Sequence, residues 1–215
     1  MIRRVLSSLM RLCGFATVAS IPSCSQPEPL PKVADFDQAA ALLGDLSASS
    51  VRPYSTRDFG RERFLDARSV IVPSGRAAAV VERFRTALPE GLISFIGTSR
   101  WLGDEKHSGV EVVLARGNTQ FDIIRAAASD AANYDMETED LIRTLERFHS
   151  TLGIDIFQAE TDTIAFRLLS MPADLAGFAH EIYEFCPDAV DQGVGTEEAL
   201  ARAIKKERLV SLWWD

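Results

Sequence analysis

Residues 69–97 read SVIVPSGRAAAVVERFRTALPEGLISFIG, and this stretch decides the fold class. Ser69 to Val72 is a short β-rich run that Pro73 stops, because proline cannot donate to a sheet ladder. Ser74 is placed to cap a helix. Ala77, Val80, Val81, Phe84 and Leu88 then recur at three- and four-residue intervals, one apolar stripe along a helix that ends at Pro89. Leu92 to Gly97 is again extended, so the segment predicts a strand–helix–strand unit.

The same reading extends outward. Upstream, Phe36, Ala39, Ala40 and Leu43 mark a helix, whereas residues 47–66 show no clean period and are expected to form a long surface loop with a short helix. Downstream, Val110 to Ala115 is a strand. Phe121, Ile124, Ala128 and Ala131 form one helical face, and Leu141, Ile142, Leu145, Phe148 and Leu152 another, which starts at Thr138-Glu139-Asp140. Ile154 to Gln158 and Thr163 to Leu169 are strands joined as a hairpin. Pro172 opens a helix with Leu175, Phe178, Ala179, Ile182 and Cys186 inward, and Pro187 stops it. A Gly193-Val194-Gly195 turn leads to Thr196, which caps a last helix before the strand Leu209 to Trp214. The expectation is an α/β domain, with α+β as the alternative. It has a mixed sheet of about six strands flanked by amphipathic helices, all within residues 35–215. The units bounded by Pro73 and Pro89 and by Pro172 and Pro187 echo each other faintly, as an internal duplication would.

Composition excludes several classes. Hydrophobic residues make up 47% and charged residues 25%, which rules out a disordered chain or a fibre. A net charge of −8 argues against nucleic acid as a partner, since phosphates call for a basic face. Beyond the N-terminus no apolar run is long enough to cross a bilayer.

The first residues differ in kind. Met1-Ile2-Arg3-Arg4 is basic, Val5 to Ile21 mostly apolar or small, and Ile21-Pro22-Ser23-Cys24 closes the stretch. This resembles a bacterial lipoprotein signal, with residues 1–23 removed and Cys24 lipidated. Pro22 departs from that pattern, and Met10 is an alternative start. An uncleaved anchor helix is the competing reading. Residues 24–34, with Pro27, Pro29 and Pro31, suit an extended tether. By analogy with Gram-negative sorting, Ser25 after the lipidated cysteine implies the outer membrane. Loss of Cys13 with the leader and acylation of Cys24 would leave Cys186 alone, so no internal disulfide is expected. Removing three arginines also takes the net charge from −8 to −11.

Four groups invite a chemical reading. Cys186 and His180 would be a nucleophile and its base, but six helical residues separate them by about 120° around the axis and about 9 Å along it. Asp135, Glu137, Glu139 and Asp140 crowd together without the glycine or the spacing of a calcium loop, and His107, His149 and His180 share no ligand spacing. No metal or cofactor is therefore expected. Asp188, Asp191 and Gln192 precede a glycine turn and a helix start, where they serve either a ligand or a rigid turn. Trp213 and Trp214 point to opposite faces of a strand, with Trp101 and Tyr134 as companions in gripping a sugar or a protein.

Glu184-Phe185-Cys186-Pro187-Asp188, Val190-Asp191-Gln192-Gly193 and Leu212-Trp213-Trp214-Asp215 resemble a bacterial family known only as domain of unknown function four-two-five-three. Asp162-Thr163 fits as well, as do Gln120 to Arg125 and Asn133-Tyr134 within one branch. The resemblance covers residues 120–215, departs at Ala189, and does not include a lipoprotein leader. It implies an α/β fold and no known activity. The expectation is a lipid-anchored binding or interaction module on the periplasmic side of the envelope, facing a basic protein or an envelope glycan. In one version it is immunity-like. An envelope hydrolase using His180, Asp188 and Asp191 is the alternative.

Overall fold

The computed structural model describes residues 29–55, 63–101 and 107–215. The leader expected over residues 1–23 and the acyl acceptor Cys24 lie outside the described residues. The elements in order are α1 (Phe36–Ser47), β1 (Arg52–Ser55), β2 (Arg63–Val72), α2 (Ser74–Arg85), β3 (Leu92–Ile96), β4 (Val110–Arg116), α3 (Asp122–Ala127), α4 (Thr138–Leu152), β5 (Ile154–Ala159), β6 (Thr163–Leu168), α5 (Leu175–Phe185), α6 (Glu197–Glu207) and β7 (Leu209–Trp213). A 3-10 turn, Ala132–Tyr134, precedes α4, and a π-helical turn, Ala189–Val194, precedes α6.

All seven strands join one mixed sheet in the order β1-β2-β4-β3-β5-β6-β7, one strand more than expected. The added strand, β1, falls within residues 47–66, where the sequence predicts a loop with a short helix, and so does the start of β2; residues 56–62 of that stretch lie outside the described residues. Its register Arg52↔Ser69 and Pro53↔Arg68 makes it an edge strand, where a proline is tolerated. Only Tyr54 of its four residues is buried, so it carries no alternation to read.

Two corrections concern helix starts. Pro73, not Ser74, occupies the N-cap of α2 and offers no side-chain bond. Asp174, two residues past Pro172, caps α5 by accepting from the Gly177 amide. The helix expected from Phe121 to Ala131 ends at Ala127, because Ala128 turns left-handed with φ 51°.

Helices cover the sheet from both sides. α1 and α2 pack Leu43, Val81 and Phe84 onto Val70, Val112 and Leu114. On the opposite face α3 to α6 set Ile124, Leu145, Ile182 and Ile204 against Phe95, Ile156, Phe166 and Leu212. The end of the expected tether is docked: Lys32 donates to the Thr86 carbonyl at 2.6 Å and the Val33 amide to that of Ala87 at 3.2 Å. The echo of the two proline-bounded units is not a duplication. α2 links strands that run the same way with β4 between them, whereas α5 and α6 link antiparallel neighbours.

Among the described residues β3 and β5 form the one parallel pair, through the single register pair Ile96↔Gln158. Below it the strands part, and side chains satisfy the freed backbone. Arg85 donates to the carbonyls of Ser94 at 2.7 Å and Ile156 at 2.6 Å and pairs with Asp155 at 2.8 Å. From the other side Gln120 donates to the Ile154 carbonyl at 3.0 Å and accepts from the Ile156 amide at 2.8 Å. Gln120→Ala strips both backbone groups of that partner and is expected to cost about 2 kcal/mol. Urea unfolding with hydrogen exchange at Ile156 checks this. Parent-like stability and protection would show that water substitutes for the amide.

Candidate functional site

The residues singled out near the C-terminus come together around Asp188. Pro187 ends α5, and its carbonyl accepts from the amides of both Val190 and Asp191 as the chain winds into the π turn. Gly195, at φ 86°, lets the chain leave that turn. The buried Asp188 carboxylate accepts from the Tyr134 hydroxyl at 2.8 Å, the Gln192 amide at 2.8 Å and the Asp215 amide at 3.0 Å.

The tryptophans close the cluster from β7. Trp214 is buried, lies edge-on to Phe185 and donates to its carbonyl at 3.1 Å. Trp213 is half-buried and covers Gly193, where a Cβ would come within 2.7 Å of its ring, so a side chain there would have to displace the indole. The Cys186 thiol donates to the Trp213 carbonyl at 3.0 Å.

The electrostatics match a lock rather than a reactive centre. Burial works to raise the Asp188 pKa, but the bonds from Asp215, Tyr134 and Gln192 outweigh it and hold the carboxyl below the ordinary range. The bond to Asp188 pushes Tyr134 up to about 12. Burial pushes the Cys186 thiol up to about 11, leaving a small hydrophobe with a weak donor.

Other expected participants lie elsewhere. His180 is exposed on α5 and reaches Glu197 of α6 at 3.1 Å and Glu184 at 3.6 Å, tying two helices together. Asp191 is exposed and bonds no candidate partner among the described residues. Trp101 stands at the same end of the sheet, donating to the Gly109 carbonyl at 2.9 Å with Arg52 and His107 against its ring. That is beside β4, four strand steps or about 19 Å from β7, so Trp101 does not join Trp213 and Tyr134. Of the acidic run, Glu139 pairs with Arg125 and Asp140 with Arg143, and Glu137 with Asp140 forms the capping box of α4.

One group escaped the sequence reading. Glu111 in β4 is 1% exposed; Ser69 donates to one of its oxygens, and the other has no hydrogen-bond partner among the described residues. Burial pushes its carboxyl up, opposed by Ser69, Thr98 and the charge of Arg52. Tyr54 beside it is raised well above its ordinary value by burial, then by Glu111 and Glu160. The signal was a lone acid between Val110 and Val112 in an otherwise apolar strand.

Residues 111–215 match the model of a family described as a domain of unknown function, DUF4253. The match takes in every residue of the Asp188 cluster. No curated protein and no solved structure matches the chain.

Two outcomes are expected. In the native state Cys186 resists iodoacetamide at pH 8, where about one thiol in a thousand is ionised, and reacts on unfolding; rapid native labelling followed by mass spectrometry would contradict its burial. Glu111 is held above its unfolded pKa, so its contribution to stability is full below that value and is lost as pH rises through the folded one. Glu111→Gln is therefore expected to gain stability over the parent from pH 4 to pH 8. Denaturation curves whose difference does not grow with pH would count against that sign.

Proposed function

We propose, from the premise that the C-terminal half of this chain matches the DUF4253 family, that the protein is a binding module facing a basic protein partner. In this reading acyl chains on Cys24 hold it at the periplasmic side of a Gram-negative membrane, the outer one by the rule for Ser25. An immunity-like role, neutralising a basic protein, is the form that best fits a tethered acidic domain. The carrying observation is the placement of charge. Residues 111–215 hold 20 acidic and 9 basic side chains, a net of −11, whereas residues 24–110 hold 11 of each. The imbalance therefore belongs wholly to the family half.

Two of its carboxylates are available. Asp191 on the π turn and Glu198 in the first turn of α6 are exposed, and bonds from its own amide and Thr196, with the charge of Arg202, hold Glu198 below the ordinary carboxylate range and so ionised. Such charge accelerates association with a basic surface and discriminates against acidic ones. It also repels the domain from anionic lipid, which is why the tether matters. A hydrolase at residues 186–196 has less support, since Asp188 is held by three donors and His180 is paired with glutamates.

Chemical crosslinking in intact envelopes, with the captured protein identified, tests the reading. A partner of basic pI is expected. Its affinity should fall about tenfold or more as salt rises from about 0.05 M to about 0.5 M, and fall again for Asp191→Lys with Glu198→Lys. A salt-insensitive or acidic partner would overturn it. The anchor has its own measurement: intact mass of the membrane-extracted protein shows cleavage before Cys24 with added acyl chains, both lost in Cys24→Ala. An unmodified full-length mass would remove the envelope placement.

A further inference from the structure

At the end of the sheet opposite the Asp188 cluster, between the start of β3 and the turn that follows β4, lies a cavity of about 530 Å³. That volume is in the range of small-molecule sites. Leu92 and Ile123 give it apolar walls, Asn118 and Thr119 stand at its exposed rim, and Ser94 and Arg85 line its depth. Ser94 is 1% exposed and its hydroxyl has no hydrogen-bond partner among the described residues.

Arg85 is the informative wall. Three of its five N–H groups are committed, to the carbonyls of Ser94 and Ile156 and to Asp155. Two more remain, on a side chain that is 26% exposed and lines the cavity. Its counter-ion is divided, since Asp155 also faces Arg167 at 3.7 Å. A guanidinium with spare donors and a shared carboxylate, set among aliphatic side chains, selects an anion attached to an apolar body. The carboxylate of Glu90 at the rim weighs the other way but is exposed to solvent.

We propose that this cleft binds a small carboxylic acid with an apolar body about the size of an aromatic ring, its carboxylate on Arg85 and its body against Leu92 and Ile123. The site straddles the chain. Arg85 to Ser94 precede the family half, and Gly117 to Ile123 begin it, so the inference stands apart from the acidic surface and does not depend on it.

The test is titration of the full chain, in non-ionic detergent, with 3-phenylpropionate, followed by heteronuclear NMR. Saturable shifts are expected at the amides of Ser94, Asn118 and Ile123, with the Asp188 cluster unmoved. The uncharged 3-phenylpropanamide and the cationic 3-phenylpropylamine should bind at least about tenfold more weakly, the loss of one charge-assisted contact. Thr119→Trp, a change at the exposed rim, should fill the opening and abolish the shifts while leaving the rest of the spectrum folded. Absence of saturable shifts, equal binding of acid and amide, preference for the amine, or binding that survives Thr119→Trp would each overturn the proposal. None of these outcomes touches Asp191 or Glu198, so the basic-partner reading stands or falls separately.

Discussion

A seven-stranded sheet held together at its middle by one register pair is the constraint on which the rest depends. β1, β2, β4 and β3 are antiparallel neighbours, β5, β6 and β7 are another such group, and Ile96 with Gln158 joins them. A parallel ladder that short leaves backbone donors and acceptors facing a gap, and buried groups of that kind must find partners. Arg85 comes down from the helical layer on one face and Gln120 comes up from the other. The larger hydrophobic cluster can then run unbroken from Phe95 and Val113 across to Phe166 and Leu212. The two bridging side chains, Arg85 and Gln120, also line the cavity beside the start of β3.

Much of this was legible in the residues because the strongest periodicities belong to elements that packing reinforces. The stripe from Ala77 to Phe84 and the acidic start of α4 fold as their patterns say. Readings failed where one residue decides. Ala128 leaves the helical region against its own propensity, because the next residues are drawn into the bridge between Ala131 and Met136. β1 is too short and too exposed to alternate. The split between β3 and β5 carries no local signal, since it is set by side chains that lie far apart in sequence. Burial of Cys186 followed from helix geometry, whereas both Trp213 and Trp214 pack toward the same hydrophobic cluster, which strand alternation alone does not foresee. The gathering of donors on Asp188 required a bond to Asp215, and turn chemistry alone does not foresee one that spans 27 residues.

The residues by which the C-terminal half is recognised prove to be bonded mostly to one another. Phe185 accepts from Trp214, Cys186 donates to the Trp213 backbone, Gly193 makes room for the Trp213 ring, and Gln192 and Asp215 share Asp188. They stitch the end of an edge strand to the turn between two helices. A sequence signature this dense therefore reports architecture. Asp191 is the exception within it, an exposed carboxylate on the π turn whose side chain joins none of these bonds. The stitched turn fixes where Asp191 and the start of α6 stand.

The place of β3 bears on how such a fold is inherited. The family half begins at Glu111, inside β4, yet β4 and β5 are separated by a strand that lies before that point. A descendant that kept only the family half would inherit an empty slot in mid-sheet, flanked by two open edges prone to pairing with whatever strand is nearest. It would have to close β4 directly onto β5, which run antiparallel across the slot, or recruit a strand from a second copy or from new sequence. The recognisable module and the unit that folds are thus different objects, and the stretch from α1 to β3, which lies before the match, is the part that makes the module whole.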